Sequence, residues 1–362
     1  MKKSLIALAV LAASGASFAQ SVTLYGLADV WFGSTKLETN GSSLTDTKLD
    51  SGGVNTSRWG MKGSEDLGGG LKANFQLEQG FDVSTGAAQD SAKAFNRQAW
   101  VGLSGGFGEV QLGKVWTSYD DIRSGANDTF GANIASSFST WVGYSDRTNN
   151  GIKYTSPSFG PFSGSLTYAL GEDKTATVAA SRILSLGVQY SAGPVFVGYA
   201  HQEQKQSGVN GEFNALPGFI TAALGTQLTT ALFGALAIEG KTTYDLIDGS
   251  YDFGAAKVVG GYNRVKQTIV GLSGDATAKE FNLGVEVPVS PSLNIGLGYA
   301  RSDIESGGQD ISNTKGYSAA AVYSLSKRTA VYAAMTGTEL EVSGTSDYLK
   351  AKLFAVGVNH KF

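Results

Sequence analysis

The residues that could carry out chemistry are few. The 362-residue chain has no cysteine, and His201 and His360 are its only histidines. Disulfide, thiolate–zinc and cysteine-nucleophile chemistry are therefore absent, and a multi-histidine metal site cannot form within one chain. No Ser/His/Asp spacing stands out, and His360 lies two residues from the C-terminus. Gly68-Gly69-Gly70 lacks the Gly-Lys-Ser/Thr that a phosphate loop requires. The pair Asp120-Asp121 could hold a divalent cation or simply be solvated. No cofactor motif is present, so we expect neither an enzyme nor a bound cofactor.

Composition narrows the scaffold. Glycine numbers 49 and proline only 6, and charged residues make up 16%. Ordinary soluble domains carry about 25% charged residues and about 7% glycine. The glycines have no period of three, which excludes collagen, and 38 aromatic residues argue against disorder. A formal charge of -3 argues against nucleic acid as a partner class. At the N-terminus, Lys2 and Lys3 precede a short apolar run, Leu5 to Ala13, and then Ser17-Phe18-Ala19. This is the pattern of a signal peptide, residues 1–19, cleaved near Ala19 for export. Cleavage would leave residues 20–362 as one domain with a formal charge of -5.

Most of that remainder alternates with a period of two. Leu71, Ala73, Phe75 and Leu77 interleave with Lys72, Asn74, Gln76 and Glu78. Phe281, Leu283, Val285 and Val287 interleave with Glu280, Asn282, Gly284 and Glu286, and Phe354 to Phe362 behaves alike. Such alternation marks half-buried strands. It does not by itself distinguish a soluble sandwich from a membrane barrel whose apolar face meets lipid. The connections do. Tight turns at 67–70, 105–108, 192–194, 288–291 and 326–327 alternate with longer polar stretches at 36–55, 171–181 and 305–314. Short turns at one end and long loops at the other define an outer-membrane barrel. About sixteen strands fit between residues 22 and 362, which is wide enough for an aqueous channel. By parity, Asp29 and Glu78 are candidates to face that channel.

One segment resists this pattern. Residues 215–238 contain no charge and qualify by length as a membrane-spanning helix. Pro217, Gly218, Gly225 and Gly234 interrupt it, and a mid-chain anchor would split the strand pattern. We therefore expect a long surface loop there.

The residues resemble a family. Gln20 to Gly26 (QSVTLYG), Ser57 to Lys72 (SRWGMKGSEDLGGGLK), Phe95 to Leu103 (FNRQAWVGL) and Gly106 to Gly113 (GFGEVQLG) match Gram-negative general porins of the beta-proteobacterial type. Ser326 to Thr329 and Asn359 to Phe362 match as well, so the resemblance runs from first strand to last. It implies an all-β fold: a sixteen-stranded antiparallel transmembrane β-barrel with a long third loop folded into the lumen. It implies a homotrimer in the cell outer membrane, in contact with lipid and lipopolysaccharide. Its function would be a water-filled channel for ions and small hydrophilic solutes. The third loop would run from Thr117 to Asp146 and bring Asp120 and Asp121 to a constriction, with Arg123 beside them. Matched position by position, Arg58, Arg97 and Arg147 would form the facing basic wall, with Lys62 nearby and Glu78 facing the lumen. Arg97 shares parity with Ala99 and Val101, whereas Trp100 shares parity with Gln98, so the face of Arg97 is open at this level. A surface barrel with a plugged lumen is the alternative, but the chain carries no extra inward domain.

Overall fold

The computed structural model describes residues 21–207, 239–269 and 274–362. The expected signal peptide and the 215–238 segment lie outside these residues. Among these residues, seventeen strands form one antiparallel sheet that closes on itself. The first six are β1 (Ser21–Thr39), β2 (Ser42–Ser51), β3 (Arg58–Gly68), β4 (Leu71–Gly80), β5 (Gln98–Gly105) and β6 (Gly108–Trp116). After a long connection come β7 (Arg147–Thr155), β8 (Phe162–Leu170), β9 (Arg182–Ala192), β10 (Val195–Ser207), β11 (Glu239–Asp252) and β12 (Lys257–Ile269). The last five are β13 (Ala276–Pro288), β14 (Leu293–Ser306), β15 (Gln309–Ser324), β16 (Thr329–Val342) and β17 (Tyr348–Lys361).

The barrel has sixteen staves because β2 and β3 share one. Residues Val30 to Thr39 of β1 pair with β2, whereas Ser21 to Leu27 pair with β3. The other edge of β1 pairs with β17, from Leu27↔Lys361 to Thr39↔Leu349. Between β2 and β3 the chain leaves the sheet at residues 52–57. Asp29, fully buried on β1, holds this excursion. Its carboxylate accepts the backbone N–H groups of Gly53 (2.8 Å), Val54 (3.2 Å) and Asn55 (3.0 Å). Tyr332 Oη (2.6 Å) and Asn359 Nδ2 (2.8 Å) donate to it as well.

The face assignment follows parity. Leu24, Val101, Leu112, Ile152, Leu166, Leu186, Ile247, Leu283, Leu297 and Phe354 are exposed on the outside. Alternate positions such as Thr167, Ser185, Gln202, Asn263, Glu280, Ser302 and Ser318 are buried on the other face. An apolar exterior over a polar interior is what a bilayer demands of a barrel.

Two stretches depart from the sequence pattern. The pattern predicts a loop over 36–55, but β1 runs on to Thr39 and β2 pairs with it. It also predicts a loop over 305–314, but β14 and β15 meet in a two-residue turn at Gly307 (φ +60°) and Gly308 (φ +79°). Above the membrane both strand faces meet water, so pairing persists without apolar alternation. A two-residue hairpin with positive φ at both positions matches strand twist, and glycine adopts it freely.

Closure ends on the last residue. Gly26 N donates to Phe362 O (3.1 Å), and Phe362 N donates to Gly26 O (3.0 Å). The Phe362 ring occupies the space over Gly26, where a Cβ would approach it to 2.4 Å. Deleting Phe362 removes both bonds and the ring, and should lower the yield of folded barrel in the outer membrane severalfold. Quantifying folded protein in outer-membrane fractions checks this, and an undiminished yield would contradict it.

Candidate functional site

The long connection, residues 117–146, is built from short pieces. Helix α1 (Ser118–Arg123) starts at Thr117, whose side chain accepts the N–H of Asp120 (3.3 Å). Asp120 and Asp121 occupy its first turn, where carboxylates suit the helix dipole. Three 3₁₀ turns follow, at Ser124–Ala126, Thr129–Gly131 and Ser137–Thr140.

This segment packs on the polar face of the wall. Tyr119 N donates to Ser185 Oγ (2.8 Å), Phe130 N to Glu286 Oε1 (2.6 Å) and Val142 N to Glu280 Oε1 (2.6 Å). Asn133 N and Ile134 N donate to Val54 O (3.3 Å) and Gly53 O (3.0 Å) in the excursion. Asp128 accepts from Ser137 Oγ and from Ser318 Oγ (3.2 Å). It sits over Gly284 and Gly298, where a Cβ would come within 2.5 Å of it or closer. Two apolar clusters complete the contact. Tyr119, Ile122, Phe138 and Trp141 pack on Tyr244, Leu246 and Val265. Ala132 and Ala135 pack on Trp31, Val54 and Tyr332.

The expected site residues do not form one cluster. Arg58 and Arg97 converge on Glu78. Arg97 Nε donates to Glu78 Oε1 at 2.7 Å, and Arg58 Nε lies 3.6 Å from Glu78 Oε2. Tyr25 Oη donates to the same carboxylate (2.9 Å). The face of Arg97 is settled by its position: it precedes Gln98, the first residue of β5, so strand parity does not bind it. Its guanidinium turns inward and is buried.

Arg147, at the start of β7, sits over the Trp116 ring, 3.4 Å from its centre, and pairs with its neighbour Asp146 (2.7 Å). Asp121 belongs elsewhere. It pairs with Lys153 Nζ at 2.6 Å and accepts from Ser165 Oγ (3.0 Å). Asp120 accepts from Tyr144 Oη. The two adjacent carboxylates thus face different partners rather than one shared cation. Lys62 sits apart on β3, 5.5 Å from the Tyr25 ring centre.

Sequence reasoning missed Lys153, Trp116 and Tyr144. Lys153 was legible by parity, since it alternates with exposed Ile152 and Tyr154. Trp116 and Tyr144 carry no such signal. Arg123 stacks among Phe138 (4.4 Å), Tyr144 (4.7 Å) and Trp141 (5.7 Å), which holds α1 to the return limb of the segment. A cation over aromatic faces is stabilised most when desolvated.

Burial first, and the Asp146 carboxylate second, push Asp120 up from 3.8 to about 7. Folded Asp120 therefore keeps its proton at pH values where the unfolded residue has lost it. Within that window the folded chain binds more protons, so stability falls as pH rises from about 4 to about 7 and levels off above. Asp120→Asn should flatten this dependence. Thermal midpoints of wild type and variant between pH 4 and pH 8 check it, and identical slopes would refute it.

A family model described as Gram-negative porin matches residues 5–341. The chain is 35% identical over 376 residues to outer membrane porin protein 32 of Delftia acidovorans, covering 99% of this chain and 95% of that one. It is 28% identical to an outer membrane porin protein of Bordetella pertussis, covering 100% of both chains. Among solved structures, an anion-selective porin from Comamonas acidovorans has a TM-score of 0.75 at 27% identity, covering 95% of this chain and 100% of that one.

Proposed function

This chain belongs to the Gram-negative porin family and forms an outer-membrane channel for passive diffusion, and from that premise we propose that residues 117–146 and the Arg58–Arg97–Arg147 wall bound its narrowest passage. The observation that carries this reading is the charge imbalance of the wall. Arg58 and Arg97 share the single carboxylate Glu78. On the long connection, Asp121 is matched by Lys153, and Asp120 is hydrogen-bonded by Tyr144. The basic wall therefore keeps an excess of positive charge, while the segment's acids are compensated locally.

Two facing charged walls orient polar solutes and bias ion passage. Arginine holds its charge at any pH met outside a cell. The passage thus favours small hydrophilic solutes and prefers anions, the preference that the Comamonas acidovorans relative carries in its description.

We further infer a homotrimer. The outer surface beside the barrel seam forms a shallow groove lined by Leu24, Trp59, Gln79, Phe81 and Phe362. There the Trp59 indole N–H donates to Gln79 Oε1 (2.9 Å). An amide on a lipid-facing surface is costly unless covered, and a neighbouring copy covers it. A band of three-chain mass on unboiled gels that collapses on heating supports this. A single monomer-sized band from mild detergent contradicts it.

Replacing Arg58, Arg97 and Arg147 with glutamine removes three cations and leaves Glu78 with no cationic partner. The zero-current potential across a tenfold KCl gradient should shift toward the cation value. The bias should weaken with salt, because the Debye length falls from about 10 Å at 0.1 M to about 3 Å at 1 M. An unchanged potential with conductance intact means that these arginines do not line the passage.

A further inference from the structure

At the end of the barrel opposite the tight turns, the wall has a gap. β7 pairs with β8 only from Gly151↔Ala169 to Thr155↔Ser165, so residues 147–150 have no strand on that side among the described residues. On their other side they meet β6 at Val115↔Thr148 and Trp116↔Arg147. Asn150 turns the corner in the left-handed region (φ +48°), which asparagine tolerates better than most side chains. A cleft of about 430 Å³ fills the gap, between this stretch, residues 169–173 after β8, residues 181–183 at the start of β9 and residues 204–206 of β10. Small-molecule sites typically measure ~300–1,000 Å³.

Two donors line this cleft without an acceptor. Gln204, on the inward row of β10, is only 5% exposed, and its Nε2 has no hydrogen-bond partner among the described residues. Arg147 Nε is buried and likewise unpartnered, although Nη1 pairs with Asp146 (2.7 Å). The chain path brings the two residues together. Gln202, the next inward residue of β10, donates to Ser145 O (3.1 Å), two residues before Arg147. A buried N–H left unmatched costs the desolvation of that group. The cleft also holds acids, and two are answered within it. Asp173 accepts from Ser181 N (2.7 Å), and Glu172 accepts from Asn150 Nδ2 (2.8 Å). Asp146 differs: one oxygen meets Arg147, and its side chain is 47% exposed.

We propose that this cleft docks a small α-amino acid, with its carboxylate on Arg147 Nε and Gln204 Nε2 and its ammonium on Asp146. The proposal shares Arg147 with the passage reading, rests on it to that extent, and adds Gln204 and Asp146. Two N–H donors from separate strands match the two oxygens of a carboxylate, and a guanidinium N–H bonds a charged acceptor more strongly than a neutral one. A simple anion would meet the acids of the cleft, and a simple cation would meet Arg147. A zwitterion answers both. Its two charges sit on one carbon, as those of Asp146 and Arg147 sit on neighbouring residues. A site on a diffusion path must also release its solute, so weak binding suits it.

The test uses the full-length folded protein in mild detergent and ligand-observed NMR titrations. The probes are alanine, propionate and ethylamine, which carry both charges, the carboxylate alone and the ammonium alone. Alanine should bind several-fold tighter than either of the others. Gln204→Met keeps the length of the side chain and removes the N–H. It should weaken alanine and propionate about tenfold, the scale of one hydrogen bond to a charged group, and leave ethylamine unchanged. Asp146→Asn should weaken alanine and ethylamine and should not weaken propionate. Equal binding of alanine by wild type and Gln204→Met overturns the proposal. Propionate binding as tightly as alanine overturns it too and assigns the cleft to simple anions, and the absence of saturable alanine binding leaves the donors to water alone. Heat-modifiable migration checks folding; if Gln204→Met does not fold, Gln204→Glu is used and must show the same loss. The KCl potential of the arginine variants reads the passage and not the amino acid, so the two readings fail separately.

Discussion

In hydrocarbon, no backbone N–H or C=O can be left without a partner, and each orphan costs several kcal/mol. Strand β1 carries most of the consequence. One edge binds β17, and the other binds β2 and then β3. Closure at β1 removes the sheet's two edges, and with them the row of unsatisfied groups that lipid would not tolerate. With an even number of staves, the start of β1 and the end of β17 lie at the same end of the barrel. The period-two pattern then has only one stable orientation, apolar outward, because a one-residue slip would turn a stave inside out.

The same accounting applies inside. Residues 117–146 leave the wall and carry backbone N–H groups that need acceptors. The wall supplies carboxylates: Glu286 for Phe130, Glu280 for Val142, and Asp29 for the excursion that receives the segment's tip. Charge-assisted bonds of this kind are roughly twice as strong as neutral ones. Gly284 and Gly298 leave the hollow that Asp128 fills. Several buried acids of the interior are thus anchors, and their charge is answered by N–H dipoles at close range.

The barrel was legible in the sequence because parity and turn length both report on it. The extent of the strands above the membrane was not. There, Lys36, Glu38, Lys48 and Asp50 form ion pairs on paired strands, and no apolar face announces the pairing. At the site, Glu78 was readable from parity and Arg58 from its motif. Arg97 was named by its motif too, but its face was not readable, because a residue just outside a strand obeys no alternation. The pairing of Asp121 with Lys153 depends on the path of a long connection, which no local pattern encodes. The inward Tyr244, Leu246 and Val265 break the polar rule for the same reason: the connection covers them.

Net charge and local charge then point in opposite directions, and distance decides between them. The chain as a whole is acidic, with a formal charge of -3. At physiological salt, exposed charges beyond about 8 Å are largely screened. In the passage we propose, an ion therefore responds to the nearest side chains rather than to the sum. Near Glu78 those are two guanidiniums on one carboxylate, and Arg147 sits over the Trp116 ring. Full neutralisation by a second acid would hold the guanidiniums together more firmly, but it would erase the field across the gap. Sharing Glu78 is the compromise: one shared carboxylate holds two cations close together, and in the proposed passage their remaining charge is what an ion would meet.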